Sequence, residues 1–256
     1  MIVAVANQKG GVGKTTLVVH LGSWLSRQGY RVALVDGDPQ GNLSSWLLDG
    51  ALEDDGLFRL LVVGDPLQRV VRAVGGEWQL ALLPGNHRTG EAMIFLSATR
   101  RPFDSVARAV RPLGGMADVV LVDMPPSRAA GFQELLYAAD GVLVPTQLER
   151  LSLEGVGFMA QAARLLVREQ GRGPRLLGIV PNMARSTTRE HQEQLGKLVE
   201  TFGGLVWPPV PLSIRVTEAC AYGQSLFAFC PGEAVTRAVG RVGERFEENV
   251  INRRVR

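Results

Sequence analysis

The chain has 256 residues, 46% of them hydrophobic and 21% charged, with a formal net charge of +3. That is enough apolar material for one large core and too little length for two comfortable domains, so residues 1–256 are expected to form a single domain. The composition excludes a low-complexity chain, a repeat array and a disulfide scaffold. There is no long block of like charge, no internal repeat is visible, and Cys220 and Cys230 are the only cysteines.

In chain order, the apolar run Ile2 to Ala6 reads as a strand. It lacks the basic flank and small-residue cleavage site of a signal peptide, and no apolar run approaches the length of a membrane span. Lys9-Gly10-Gly11-Val12-Gly13-Lys14-Thr15-Thr16 follows, and then Leu17, Leu21, Trp24 and Leu25 at helical spacing, with Gly29 where a C-cap belongs. Strand, glycine-rich turn and helix form the context of a phosphate-binding loop, in which backbone N–H groups and the helix N-terminus face anionic phosphates. Gly10, Gly11 and Gly13 leave room for close approach, Lys14 supplies a point charge, and Thr15 supplies a hydroxyl for Mg²⁺. The plain motif would place a glycine where this chain has Gln8, and an extra lysine, Lys9, stands in the same loop. Only three of the 28 basic residues are lysines, Lys9, Lys14 and Lys197. Two of them in one loop point to sites that need a compact ammonium rather than a planar guanidinium.

Arg31 to Val35 reads as a buried strand ending at Asp36. The loop Asp36-Gly37-Asp38-Pro39-Gln40-Gly41-Asn42 is dense in turn residues and carboxylates. Leu80–Leu83 is a third strand. Residues 90–113 are mixed and helical, broken by Pro102. Asp118–Val122 reads as a fourth strand ending at an acid, Asp123, followed by a helix over Phe132–Ala139 and a fifth strand over Gly141–Val144. A long helix over Ser152–Arg168 precedes a sixth strand, Leu176–Val180, which runs into Pro181 and Asn182. A helix over 188–202, an apolar segment near Val206 and helices near 214–222 and 232–246 complete the pattern. In the last of these, Val235, Val239, Val242 and Phe246 form a packing stripe. Continuous apolar strands alternating with helices predict an α/β fold, with a mostly parallel central sheet flanked by helices on both faces. Ligands of such sheets sit at the carboxyl ends of the strands. Those ends carry Asn7–Gly13, Asp36–Gln40, Asp123–Pro126, Thr146–Glu149 and Asn182.

Asp123 has the form of the strand-end acid that holds Mg²⁺, directly or through water, opposite a phosphate loop. Asp36 and Asp38, two residues apart, admit two readings. One of them could orient the Mg²⁺ shell and the other the attacking water, or both could serve turn chemistry. His20, His87 and His191 are far apart and suggest no metal site. The two cysteines read as semi-buried thiols, and Trp24, Trp46 and Phe246 as core.

Taken together, Lys9–Thr16, Val35–Asn42 and Val122-Asp123-Met124-Pro125-Pro126-Ser127 resemble the ParA/Soj family of DNA-partitioning ATPases, P-loop NTPases with a deviant Walker A motif in the MinD/ParA superfamily. Pro145–Glu149 with Leu153-Glu154-Gly155, and Pro211–Glu218 with Tyr222-Gly223, extend the likeness to about residue 246. The resemblance implies binding of ATP with Mg²⁺ by Lys9, Gly10, Gly11, Val12, Gly13, Lys14, Thr15 and Thr16. Asn182 falls at the family's adenine contact. It implies Thr15, Asp36 and Asp123 around the metal, with the acids acting directly or through water. Lys9, Lys14 and Asp38 become the catalytic set, Lys9 reaching into the second copy of an ATP-dependent homodimer and Asp38 orienting the hydrolytic water. It further implies slow intrinsic ATP hydrolysis, non-specific binding to double-stranded DNA, a ParB-like activator that releases the dimer, and a cytoplasmic, nucleoid-associated place in chromosome or plasmid segregation.

Residues 171–256 hold 12 basic and 8 acidic residues against 16 and 17 in residues 1–170, so the basic excess lies in the last third. Arg185, Arg189 and Arg215 are the expected DNA contacts there, with scattered surface arginines as the alternative. A membrane-surface ATPase similar to MinD would share the two-lysine loop. Its amphipathic anchor is not matched by Glu247–Arg256, which has no Trp, Phe or Leu, so no membrane partner is expected. An iron–sulfur reductase would need cysteines that Cys220 and Cys230 do not supply. Positioning of protein cargo on the nucleoid by the same mechanism stays open. With no segment ahead of the first strand, no operator-specific DNA binding is expected.

Overall fold

The structure is a computed structural model that describes residues 1–48, 55–126, 129–150 and 152–252. Ser127 and the tail beyond Asn252 lie outside the described residues. Seven strands form one sheet: β1 (Ile2–Val5), β2 (Val32–Asp36), β3 (Arg72–Val74), β4 (Leu80–Leu83), β5 (Val119–Asp123), β6 (Gly141–Gln147) and β7 (Arg175–Asn182). Their order is β3-β4-β2-β5-β1-β6-β7, and every pair is parallel except β3 with β4. Every residue of β1, β2 and β5 is buried, which explains why these strands read as unbroken apolar runs.

Alternation along β1 divides the core into two layers. Ile2, Ala4 and Ala6 join one apolar cluster with Met93, Val106, Leu135 and Val156, whereas Val3 and Val5 join the other with Leu17, Leu21, Trp24, Val239 and Phe246. The first layer is built by α3 (His87–Ala98), α4 (Ser105–Val110), α5 (Phe132–Ala138) and α6 (Ser152–Gln170). The second is built by α1 (Lys14–Arg27), α2 (Asn42–Leu47), α8 (Ile214–Ala221), α9 (Leu226–Phe229) and α10 (Ala234–Phe246). The amphipathic α7 (Arg189–Phe202) follows β7. The stripe Val235, Val239, Val242 and Phe246 is buried as expected, and Gly29, at φ 89°, follows the end of α1.

Four elements depart from the sequence pattern for local physical reasons. β3 has too few residues for a periodic signal and pairs antiparallel at the sheet edge. α3 begins at His87 rather than near Gly90, because Asn86 and Thr89 form a reciprocal cap: Arg88 N–H donates to Asn86 Oδ1 at 2.9 Å, and Asn86 N–H to Thr89 Oγ1 at 3.2 Å. β6 and β7 run past Val144 and Val180 through Pro145 and Pro181. Both prolines keep a bonded carbonyl: Pro145 O accepts from Asn7 Nδ2 at 2.7 Å, and Pro181 O from Val210 N–H at 2.8 Å.

His20 is a buried histidine of the second layer. Its Nδ1 accepts from Leu226 N–H at 3.5 Å, and its ring meets Trp46 edge-on at 5.4 Å between centroids. Burial lowers its pKa from 6.5 to about 3, because the imidazolium cannot be hydrated there. Below pH 6.5 the unfolded chain therefore takes up a proton that the folded chain refuses until about pH 3. The stability His20 allows is fully present above that window and falls with pH inside it, by about 1.4 kcal/mol per unit. Urea midpoints measured from pH 6.5 to 4 should fall more steeply for the parent than for His20→Gln; parallel profiles would show that His20 does not carry the acid sensitivity.

Candidate functional site

The parallel register sets three strand ends at one level. Val5 lies opposite Asp123, and Asp36 lies opposite Asp123 on the other side. From Val5 the chain turns through Gly10–Gly13 into α1. Gly13 has φ 88°, and a Cβ placed there would stand 2.1 Å from Asn182 Nδ2. Only glycine fits, because Asn182 reaches across from the end of β7 to donate to Val12 O at 2.8 Å. Leu17 N–H closes the first helical turn onto Gly13 O at 2.9 Å. The N–H groups ahead of Leu17 are then left without helical partners. They border a cleft of about 600 Å³ whose near wall is Gly10, Gly11 and Gly13 to Thr16, and whose far wall includes Asp38, Gln40, Trp46 and Met183. Lys14 is almost fully buried there, its Nζ 3.5 Å from Lys9 O. Val12 enters the loop through its backbone; its side chain is in the core.

Behind this turn, Thr15 Oγ1 donates to Asp123 Oδ2 at 2.6 Å. The other carboxylate oxygen, Asp123 Oδ1, is buried without a hydrogen-bond partner among the described residues. Burial, and then the neighbouring Asp36 charge, hold Asp123 well above the usual carboxylate range, while the Thr15 hydroxyl and Lys14 pull the other way. A buried acceptor with nothing to accept from, beside a hydroxyl at the mouth of an anion-binding turn, suits a hard divalent cation. Among the described residues no group of three or more His, Cys, Asp or Glu gathers into a metal cage, and Mg²⁺ does not require one.

The two acids of the Asp36–Asn42 loop are separated rather than paired. Asp36 is fully buried, and its Oδ2 accepts from Ser44 N–H at 2.8 Å and Ser44 Oγ at 2.7 Å. Asp36 Oδ1 accepts from Asp38 N–H at 3.3 Å, and burial raises its pKa to about 7. Ser44 Oγ also accepts from Gly85 N–H at 2.9 Å, so Asp36 fixes the start of α2 against the loop after β4. Asp38 instead lines the cleft, its Oδ1 held by Gln40 N–H at 3.0 Å.

Lys9 does not line this cleft. Its Nζ lies 2.5 Å from Glu149 Oε2 and 3.5 Å from Gln147 Oε1, at the end of β6. Gln147 Nε2 donates to Gly11 O at 3.2 Å and contacts Met183 Sδ at 3.0 Å. Met183 is held at φ 53°, uncommon for a residue with a side chain, and borders both this cleft and a neighbouring one of about 760 Å³. The sequence reading missed Ser44, Met183 and Cys220, the last of which is exposed and lines the cleft. No local signal marks Met183 or Cys220. Ser44, two residues into α2, could have been noticed as a donor near a helix start.

None of the three arginines enters the nucleotide-sized cleft. Arg185 lines the neighbouring one, and its backbone N–H donates to His191 Nδ1 at 3.0 Å. Arg189 pairs with Glu193 at 2.8 Å, and Arg215 with Glu218 at 2.9 Å and Glu233 at 3.6 Å. A bridge between Ala184 and Pro211, reinforced by Leu212 N–H to Ala184 O at 3.1 Å, sets the segments carrying Arg185 and Arg215 side by side.

The model of the AAA domain family AAA_31 matches residues 1–172. The chain is 37% identical over 246 residues to the chromosome-partitioning ATPase Soj of Thermus thermophilus, covering 94% of this chain and 93% of that one. It is 35% identical over 237 residues to the chromosome partitioning protein ParA of Caulobacter vibrioides, covering 89% and 86%. Among solved structures, the ATP complex of Cyanothece McdA shares the fold, with a TM-score of 0.85 at 21% identity over 97% of this chain and 95% of that one. Phosphate loop, strand-end acids and sheet order thus agree with the sequence relationship: the chain belongs to the ParA/Soj family of P-loop ATPases.

Proposed function

We propose that this chain is an ATP-driven partitioning switch. It binds ATP, pairs with a second copy, holds DNA without regard to sequence while paired, and lets go after hydrolysis stimulated by a ParB-like partner. The observation that carries this reading is the cleft itself, where Lys14, Thr15, Asp123 and Asp38 stand around one anion-binding turn. Lys14 and the N–H groups of Gly10–Thr16 take the phosphates of ATP. Thr15 and Asp123 would hold Mg²⁺, with Asp36 behind Asp123; when bound, the ion neutralises charge on the phosphate oxygens during transfer. Asp38, shielded and fixed by Gln40 N–H, orients the attacking water. Asp36 fixes the loop that carries Asp38 through its bonds to Ser44. Asn182 braces the turn and borders the base. Lys9 points away from its own cleft and serves the phosphates of the second copy, in the manner of an arginine finger.

Arg185, Arg189 and Arg215 supply phosphate contacts to DNA in this reading. Arg189 and Arg215 already carry acidic partners, so DNA must compete with them and the affinity will be salt-sensitive. Such a protein works on the nucleoid. Co-sedimentation with non-specific double-stranded DNA at two salt concentrations, with ATP, ADP or no nucleotide, tests the switch. Binding with ATP alone, weakening steeply with salt, is expected. Binding indifferent to nucleotide, or absent with ATP, contradicts it.

A further inference from the structure

We infer that Glu149 is the resting partner of Lys9, and that this ion pair sets the threshold at which two copies join. The inference rests on the reading that Lys9 serves the second copy's phosphates. Lys9 and Glu149 are each about half exposed, at 51% and 49% of their side chains, and the backbone beside the pair is tied down. Lys9 N–H donates to Asn7 Oδ1 at 3.0 Å, Asn7 Nδ2 to Pro145 O at 2.7 Å, and Gln147 Nε2 to Gly11 O at 3.2 Å. The last two bonds tie the end of β6 to the phosphate turn on either side of the pair, and the first fixes the Lys9 backbone within that turn. Lys9, Gln147 and Glu149 also wall a small cavity of about 20 Å³. That is room for about one water.

In this inference the Lys9 ammonium, 2.5 Å from Glu149 on its own chain, leaves that carboxylate to reach a phosphate on another chain. The two positions of Lys9 are alternatives, and Glu149 competes with the nucleotide of the incoming copy. The pair is partly solvated, so it tunes rather than blocks. Joining two copies breaks two such pairs, one per chain. The ordinary worth of exposed pairs then corresponds to about a 2- to 30-fold shift in the pairing constant.

The test is Glu149→Gln, which keeps the shape and a carbonyl acceptor and removes the charge. It is made on an Asp38→Ala chain so that ATP persists, and pairing is measured by sedimentation velocity across protein concentration with ATP and Mg²⁺. The expected result is about 2- to 30-fold tighter pairing than in Asp38→Ala alone, with unchanged ATP affinity of the single chain. The gain should vanish when Lys9→Ala is added. A merely structural role for Glu149 would instead alter ATP affinity or weaken pairing. Unchanged or weaker pairing in Glu149→Gln overturns the inference, as does a gain that survives Lys9→Ala. Lys9→Ala on the Asp38→Ala chain reports separately on the underlying reading: if that chain pairs as well as its parent, Lys9 does not serve the second copy, whatever Glu149 does.

Discussion

Asp38→Ala should bind ATP, pair and remain on DNA while hydrolysing ATP about 10²- to 10⁴-fold more slowly, the usual worth of a positioned proton-handling group. The separation of the two loop acids dictates this outcome. Among the described residues Asp38 holds only Gln40 N–H through its side chain, and it faces the cleft, so its removal should leave the phosphate turn and the fold untouched. Asp36 is different: its carboxylate secures the start of α2, and its loss would disturb binding and stability together. ATP affinity by calorimetry and phosphate release by a coupled assay read the two properties apart. An Asp38→Ala chain that fails to bind ATP, or turns over at the parental rate, would remove Asp38 from the proposed role.

Gly13→Ala should lose nucleotide binding by at least about 100-fold and unfold at lower temperature. At φ 88° a Cβ costs about 1–2 kcal/mol in strain. It would also stand 2.1 Å from Asn182 Nδ2 and evict the bond to Val12 O, worth about 1 kcal/mol more. Together these correspond to a loss of roughly 5–10 °C in a domain of this size. The loss of affinity is larger than strain alone suggests, because the turn that would have to move carries the N–H groups proposed to take the phosphates. Titration with ATP and a thermal melt check both parts. Parental affinity in Gly13→Ala would show that the turn tolerates displacement and that the Asn182 brace is not needed.

What the sequence made legible was local or repetitive. Six of the seven strands contain an apolar run, four of them ending in a polar residue, and Gly13-Lys14-Thr15 announces itself without neighbours. The alignment of Asp36 with Asp123 follows once the strands are parallel. What stayed hidden depends on contacts between distant residues. Lys9 meets Glu149 across 140 positions, Asn182 meets Val12 across 170, and neither pairing leaves a periodic trace. The fate of Asp36 was hidden for a nearer reason. Asp-x-Asp spacing does not say which acid turns inward; Ser44, eight residues on, decides it. The partner and the pairing of two copies came from family resemblance alone, and for DNA the sequence itself added only the basic excess of residues 171–256.

A mixing experiment tells whether each active site is completed by Lys9 of another copy, as proposed. Lys9→Ala and Asp38→Ala chains are combined before ATP is added, and phosphate release is compared with each alone. In a mixed pair, the site on the Lys9→Ala chain has its own Asp38 and receives Lys9 from the Asp38→Ala chain. The mixture should hydrolyse ATP when neither variant does so appreciably alone. A mixture no more active than the sum of its parts would place Lys9 in its own chain's site and contradict the account.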